Sequence, residues 1–148
     1  MNALTKYVNI IARCTIKYRG DKFAQSGLSG HQITYILYIC AAPGITQDKL
    51  AQELYKNKSN ITRQLASLEE LGYVIRRECE SDRRMTQVFP SQKALEELPQ
   101  IKQALREWNE YLLGEFSEEE AAKLTQMLAQ IAARAKSYAD GSLEKEET

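Results

Sequence analysis

Asn57-Lys58-Ser59-Asn60-Ile61-Thr62-Arg63-Gln64-Leu65-Ala66-Ser67-Leu68-Glu69-Glu70-Leu71-Gly72-Tyr73 is the stretch that decides the fold. Ile61, Leu65 and Leu68 recur at i, i+4 and i+7, one apolar stripe on a helix of period 3.6. Asn57 is suited to cap its start, and Gly72 stands where a left-handed stop residue belongs. Off the stripe, the first two turns present Lys58, Ser59, Asn60, Thr62, Arg63 and Gln64. Lys56, Lys58 and Arg63 meet no acid between residues 56 and 64, so that end carries a charge of +3. Such a face is either an ordinary solvated surface or one that reads nucleic acid, since Asn, Gln, Arg and hydroxyl side chains pair with base edges and phosphates.

The neighbouring segments favour the second reading. Upstream, Thr46 caps a helix over residues 47–55 with Leu50 and Leu54 inward; Lys49 stands where Glu would complete a capping box. Lys56-Asn57 is then the tight turn of a helix-turn-helix. Downstream, residues 73–78 and 85–89 read as strands joined by Cys79-Glu-Ser-Asp-Arg-Arg84. Arg76, Arg77, Arg83 and Arg84 gather on this hairpin, which makes it a wing whose guanidinium groups suit phosphates or a narrow minor groove. Its bland alternative is a surface hairpin neutralised by Glu78, Glu80 and Asp82.

Farther out lie helices. Residues 2–18 place Tyr7, Ile11, Cys14 and Tyr18 on one face. Ser29-Gly-His-Gln32 is a capping box that opens a helix to about Ala42, apolar on nearly all sides and therefore central; Pro43-Gly44 ends it. After Pro90, which limits how far the second wing strand can pair, Ser91 caps a helix with Leu95, Leu98, Ile101, Leu105, Trp108 and Leu112 inward, kinked or split at Pro99. Ser117-Glu-Glu-Glu120 caps a last helix whose stripe is Leu124, Leu128, Ile131, Ala135 and Tyr138, stopped by Asp140-Gly141. Asp140, Glu144, Glu146 and Glu147 against Lys145 make the end of the chain a solvated tail of charge −3.

The 148 residues suit one domain, and 43% hydrophobic with 27% charged residues describes a soluble globular chain. Twenty Lys+Arg balance twenty Asp+Glu, which excludes a polybasic coat and requires that any DNA binding be local. No apolar run has the length of a signal peptide core or a membrane span. Three cysteines without metal-ligand spacing, and one histidine, fit a reduced cytoplasmic protein with no metal and no cofactor.

In element order the whole chain resembles the MarR family of winged-helix transcriptional regulators. The resemblance is most specific in Ile45-Thr46-Gln47, Leu50-Ala51, Asn57 to Arg63, Leu68-Glu69, Leu71-Gly72-Tyr73-Val74 and Asp82-Arg83-Arg84 with Val88. Departing from the family's Leu-Thr-x-x-Gly, the segment after the wing is Pro90-Ser91-Gln92-Lys93-Ala94. The fold implied is mainly α (α+β), a winged helix-turn-helix lobe over residues 29–93. The flanking dimerisation helices span 1–20 and 95–140, and a flexible tail covers 141–148. The resemblance implies a homodimeric, sequence-specific and ligand-responsive repressor on a pseudo-palindromic operator in double-stranded DNA. Lys58, Ser59, Asn60, Thr62, Arg63, Gln64, Arg83 and Arg84 would contact DNA, Asn60 and Arg63 on bases, with Lys58, Ser59 and Thr62 on phosphates. Asp82 would hold Arg84 for the minor groove. Tyr7, Ile11, Cys14, Leu124, Leu128 and Ile131 would join two copies.

A small aromatic or apolar effector would meet Tyr18, His31, Tyr35, Tyr38 and Trp108, residues that otherwise read as core. Redox sensing is an alternative. Cys14 lies too close to Ser29 to match the family's peroxide-sensing branch, whereas Cys79 beside Arg77 is the more exposed thiol. An enzyme is disfavoured, because His31 is isolated, Cys40 lies on a buried face and no Gly-rich phosphate loop exists. A winged helix that binds an acidic protein partner is the other rival.

Overall fold

The structure, a computed structural model, describes residues 3–146, with side chains to residue 141. Its elements run α1 (Leu4–Lys22), a 3-10 turn (Ala24–Ser26), α2 (Gly30–Ala41), β1 (Ile45–Thr46), α3 (Gln47–Leu54), α4 (Lys58–Glu70), β2 (Val74–Glu78), β3 (Thr86–Pro90), α5 (Gln92–Leu113) and α6 (Glu118–Glu146). The fold is mainly α with one small antiparallel sheet, as expected. Packing gathers into two compact units, residues 1–108 and 109–148. Among the described residues no helix is long and apolar enough to cross a membrane.

The first unit is built on α2. Ser29 caps it reciprocally, its Oγ accepting from the Gln32 N–H while Gln32 Oε1 accepts from the Ser29 N–H. Ile33, Ile36 and Ile39 of α2 are fully buried against Leu50 of α3, Ile61, Leu65 and Leu68 of α4, Val88 of β3 and Ile101 of α5. Each such side chain contributes roughly 1.5–3 kcal/mol by leaving water. α1 crosses α2 at Gly30, where a Cβ would overlap the backbone carbonyl of Ile16. Only glycine permits that approach.

The sheet order is β1-β3-β2. Ile45, expected only as an extended link, pairs with Val88 and makes the hairpin three-stranded. Pro90 does not shorten the wing. It pairs with Val74, and the next N–H, of Ser91, donates to Tyr73 O at 2.9 Å. A proline at a strand's last position loses only a bond that faces away from the partner. Gly72 takes φ +84 as the stop after α4, and that helix's end is closed by Ser91 Oγ donating to Gly72 O and Lys93 Nζ donating to Leu71 O.

Four expectations change. α1 extends to Lys22, and of the two outcomes expected at Pro99 the split does not occur, α5 being one helix with Pro99 inside it. On α5 the buried positions are Ala94, Ile101 and Ala104, while Leu95 and Leu112 face outward. α6 passes through Asp140-Gly141 to Glu146 rather than stopping there; one glycine costs a helix about 1 kcal/mol, which good helix formers on both sides absorb. Residue 2, the expected start of the first helix, and residues 147–148 of the expected tail lie outside the described residues.

Candidate nucleic-acid interface

α3 and α4 form the helix-turn-helix. Thr46 caps α3 by accepting from the Lys49 N–H at 3.1 Å, the half of a capping box that its sequence supports. Tyr55 ends α3 at φ 53, and the Lys56 N–H reaches back to Ala51 O. Asn57 Oδ1 then accepts from the Asn60 N–H at 2.8 Å and starts α4.

With Ile61, Leu65 and Leu68 sealed inside, α4 turns Lys58, Ser59, Thr62 and Arg63 fully outward and leaves Asn60 and Gln64 half-exposed. Several of these groups already have local partners. Ser59 Oγ donates to Asn57 Oδ1, and Thr62 Oγ1 donates to Lys58 O. Lys58 Nζ lies 3.4 Å from Asp48 of α3, an exposed pair of little energetic weight. Asp48 thus partly offsets a charge that looked unopposed along α4 itself. Arg63 has no hydrogen bond or ion pair among the described residues and is the side chain best free to reach a ligand.

The wing sorts its arginines by strand position. Arg76 turns back onto α4, where Glu69 accepts from its backbone N–H and its guanidinium. That contact, led by the guanidinium hydrogen bond, holds the Glu69 carboxyl below its ordinary pKa. Arg77 covers the Phe89 ring at 5.5 Å. At the tip, Asp82 Oδ1 accepts from the Arg84 backbone N–H at 3.0 Å and lies 3.4 Å from its Nε, while the Arg84 side chain is 92% exposed. Arg83 is exposed beside it. The outer face of α4 and the base of the wing border one shallow groove of about 420 Å³, lined by Gln47, Thr62, Glu69, Arg76, Arg77, Glu78 and Thr86. Gln47, not singled out in the sequence as a contact, belongs to this groove together with Arg76 and Arg77.

The five side chains expected around an effector are carried by α1, α2 and α5. Tyr18 and Trp108 stack at 4.5 Å between α1 and α5, and their polar atoms donate to Ala104 O and Thr15 Oγ1. Tyr35 is buried, Tyr38 packs against the core and His31 is exposed. A separate cleft of about 670 Å³ lies between the end of α1 and the middle of α5, walled by Lys22, Phe23, Pro99, Gln103 and Arg106 among others, and includes none of the five. The Cys79 thiol is drawn below its ordinary pKa first by the Ser81 hydroxyl, 3.1 Å away, and then by backbone N–H groups, rather than by the neighbouring arginine.

A capped helix-turn-helix followed by a two-stranded wing, with the polar face of α4 left open, defines the winged helix-turn-helix class. The MarR family profile matches residues 26–85, which span that lobe from the 3-10 turn to the wing. A solved structure of MarR superposes with a TM-score of 0.86 at 29% identity, covering 89% of this chain and 90% of that one. The Bacillus subtilis HTH-type transcriptional regulator YybA is 24% identical over 131 residues, 88% of this chain and 87% of YybA. A Listeria monocytogenes structure complexed with a 26mer DNA, 24% identical, superposes with a TM-score of 0.86 over 94% of this chain and 93% of its own. Residues 26–85 thus match the MarR family model, and the chain is similar over most of its length to MarR-type transcriptional regulators.

Proposed function

We propose that the chain acts as a homodimer that binds double-stranded DNA sequence-specifically, α4 in the major groove and Arg84 in the adjacent minor groove. The supporting observation is that α4's outer face and the wing border one groove, while Asp82 braces an otherwise exposed Arg84. Arg63 and Asn60 would read base edges. Lys58, Ser59, Thr62 and Arg83 would hold phosphates, and Gln64 would lie at the inner end of the contact. That a structural relative was crystallised with DNA favours the same reading.

Two further surfaces support pairing of copies. On α1, Tyr7, Ile11 and Cys14 are exposed; on α6, Leu128 and Ile131 are exposed and Leu124 is half-buried. Uncovered apolar rows on long helices are stable in water chiefly when a second molecule covers them. The experiment is a gel shift on DNA selected from a random pool, with sedimentation at micromolar protein. The reading requires a dimer and sequence-selective, salt-sensitive binding; a monomer, or binding indifferent to sequence, would remove it. A small aromatic or apolar effector at Tyr18, His31, Tyr35, Tyr38 and Trp108 would release the DNA by favouring one dimer geometry.

A further inference from the structure

We propose that Tyr35, from inside the core, decides which edge Asn60 offers to DNA. The inference rests on the DNA-binding reading above and adds a specificity-determining residue that touches no nucleic acid. Tyr35 lies on α2 with 3% of its surface exposed, and its hydroxyl donates to Asn60 Oδ1 at 3.0 Å. A buried phenol O–H needs an acceptor; of the two ends of the asparagine amide, only the oxygen is one. The orientation of the Asn60 amide is therefore set from within the protein. Burial raises the Tyr35 pKa, so the phenol stays a donor at neutral pH.

With Oδ1 turned inward, the outward half of the Asn60 amide is the NH2 group, a pure donor. Asparagine reads adenine by accepting from N6 with its oxygen while donating to N7, and the oxygen is engaged here. Guanine presents two acceptors, N7 and O6, and no donor on that edge. Asn60 in this setting selects guanine over adenine. A second tie holds α4 at its other end, where Gln32 Nε2 donates to Ser67 Oγ at 3.0 Å. Removing the tyrosine hydroxyl thus frees the amide to rotate while the helix keeps its seat.

The test is base preference from random-pool selection for the wild type, Asn60→Ala, Tyr35→Phe and Asn60→Asp, each first shown to unfold at a comparable temperature. The wild type is expected to show one guanine position per half-site that Asn60→Ala abolishes. Tyr35→Phe is expected to move that position toward adenine, changing the guanine-to-adenine ratio on the order of tenfold. Asn60→Asp keeps an acceptor for Tyr35 and presents an acceptor outward, so the position should move to cytosine, whose N4 is a donor; if Tyr35→Phe does not fold, the wild type's own choice between guanine and adenine decides the matter. Sequence-selective binding in which Asn60→Ala changes no position overturns the proposal and leaves the regulator reading standing. An Asn60-dependent adenine in the wild type does the same, as does a preference that Tyr35→Phe leaves unmoved. A wild type without any sequence preference overturns both.

Discussion

At the scale of single residues, the open face of α4 and the tip of the wing hold their arginines differently. Arg63 is exposed with no hydrogen bond or ion pair among the described residues, whereas Arg84 is exposed but braced by Asp82. Arg63→Ala should lower discrimination between cognate and mismatched sites by about 1–3 kcal/mol at one base pair, as measured by competition binding. Arg84→Ala should weaken all sites alike and flatten the salt dependence; loss of discrimination in both variants equally would refute the division. Tyr55 is held at φ 53, a left-handed conformation that a side chain makes unfavourable by about 1–2 kcal/mol. Tyr55→Gly relieves that strain but loosens the unfolded chain, so a net stabilisation of about 0.5–1 kcal/mol is expected in denaturant titration. A destabilised variant would mean that the ring's own contacts outweigh the strain.

At the scale of elements, the α1–α2 crossing is the least forgiving point. Gly30→Ala sets a methyl against the Ile16 carbonyl, a backbone atom that cannot swing aside, and should cost at least about 3 kcal/mol in chemical denaturation. A variant as stable as the wild type would show that the helices do not meet there. Tyr73 ties the start of the wing to α5 by donating to Glu97 Oε2 at 2.5 Å, and burial first, then that bond, push its pKa up to about 12 from an ordinary 10.0. A folded-state pKa above the unfolded one means the unfolded chain loses its proton first as pH rises. The fold is therefore expected to lose stability progressively between pH 10 and about 12, more steeply than Tyr73→Phe in alkaline denaturation curves. Equal slopes would contradict the assignment. What was legible in the sequence was what is local: the caps at Ser29, Thr46, Asn57 and Ser117 need only three or four residues to specify them. The stripe of α4 was legible for the same reason. What was not legible depended on partners distant in the chain. Ala94 and Ala104 face inward on α5, although large side chains looked like the core-facing set, and β1 exists only because Val88 comes to it. The occupied oxygen of Asn60 could not be seen from its own helix.

At the scale of the molecule, the proposed recognition would take two copies, because one lobe offers one α4 and one wing. With Lys58 and Arg83 of each copy on phosphates and Arg84 in the negative field of the minor groove, raising salt from 50 to 200 mM should weaken binding about a thousandfold. The geometry is the stricter constraint: paired recognition helices reach half-sites about one turn apart, ~34–36 Å. The decisive measurement is fluorescence anisotropy on a selected palindromic duplex, compared with the same duplex lengthened by about half a turn, roughly 5 bp, between its half-sites. Binding that collapses toward the non-specific level on the lengthened duplex is the result this account predicts. Equal affinity for the two would mean that single lobes bind alone, and would contradict it.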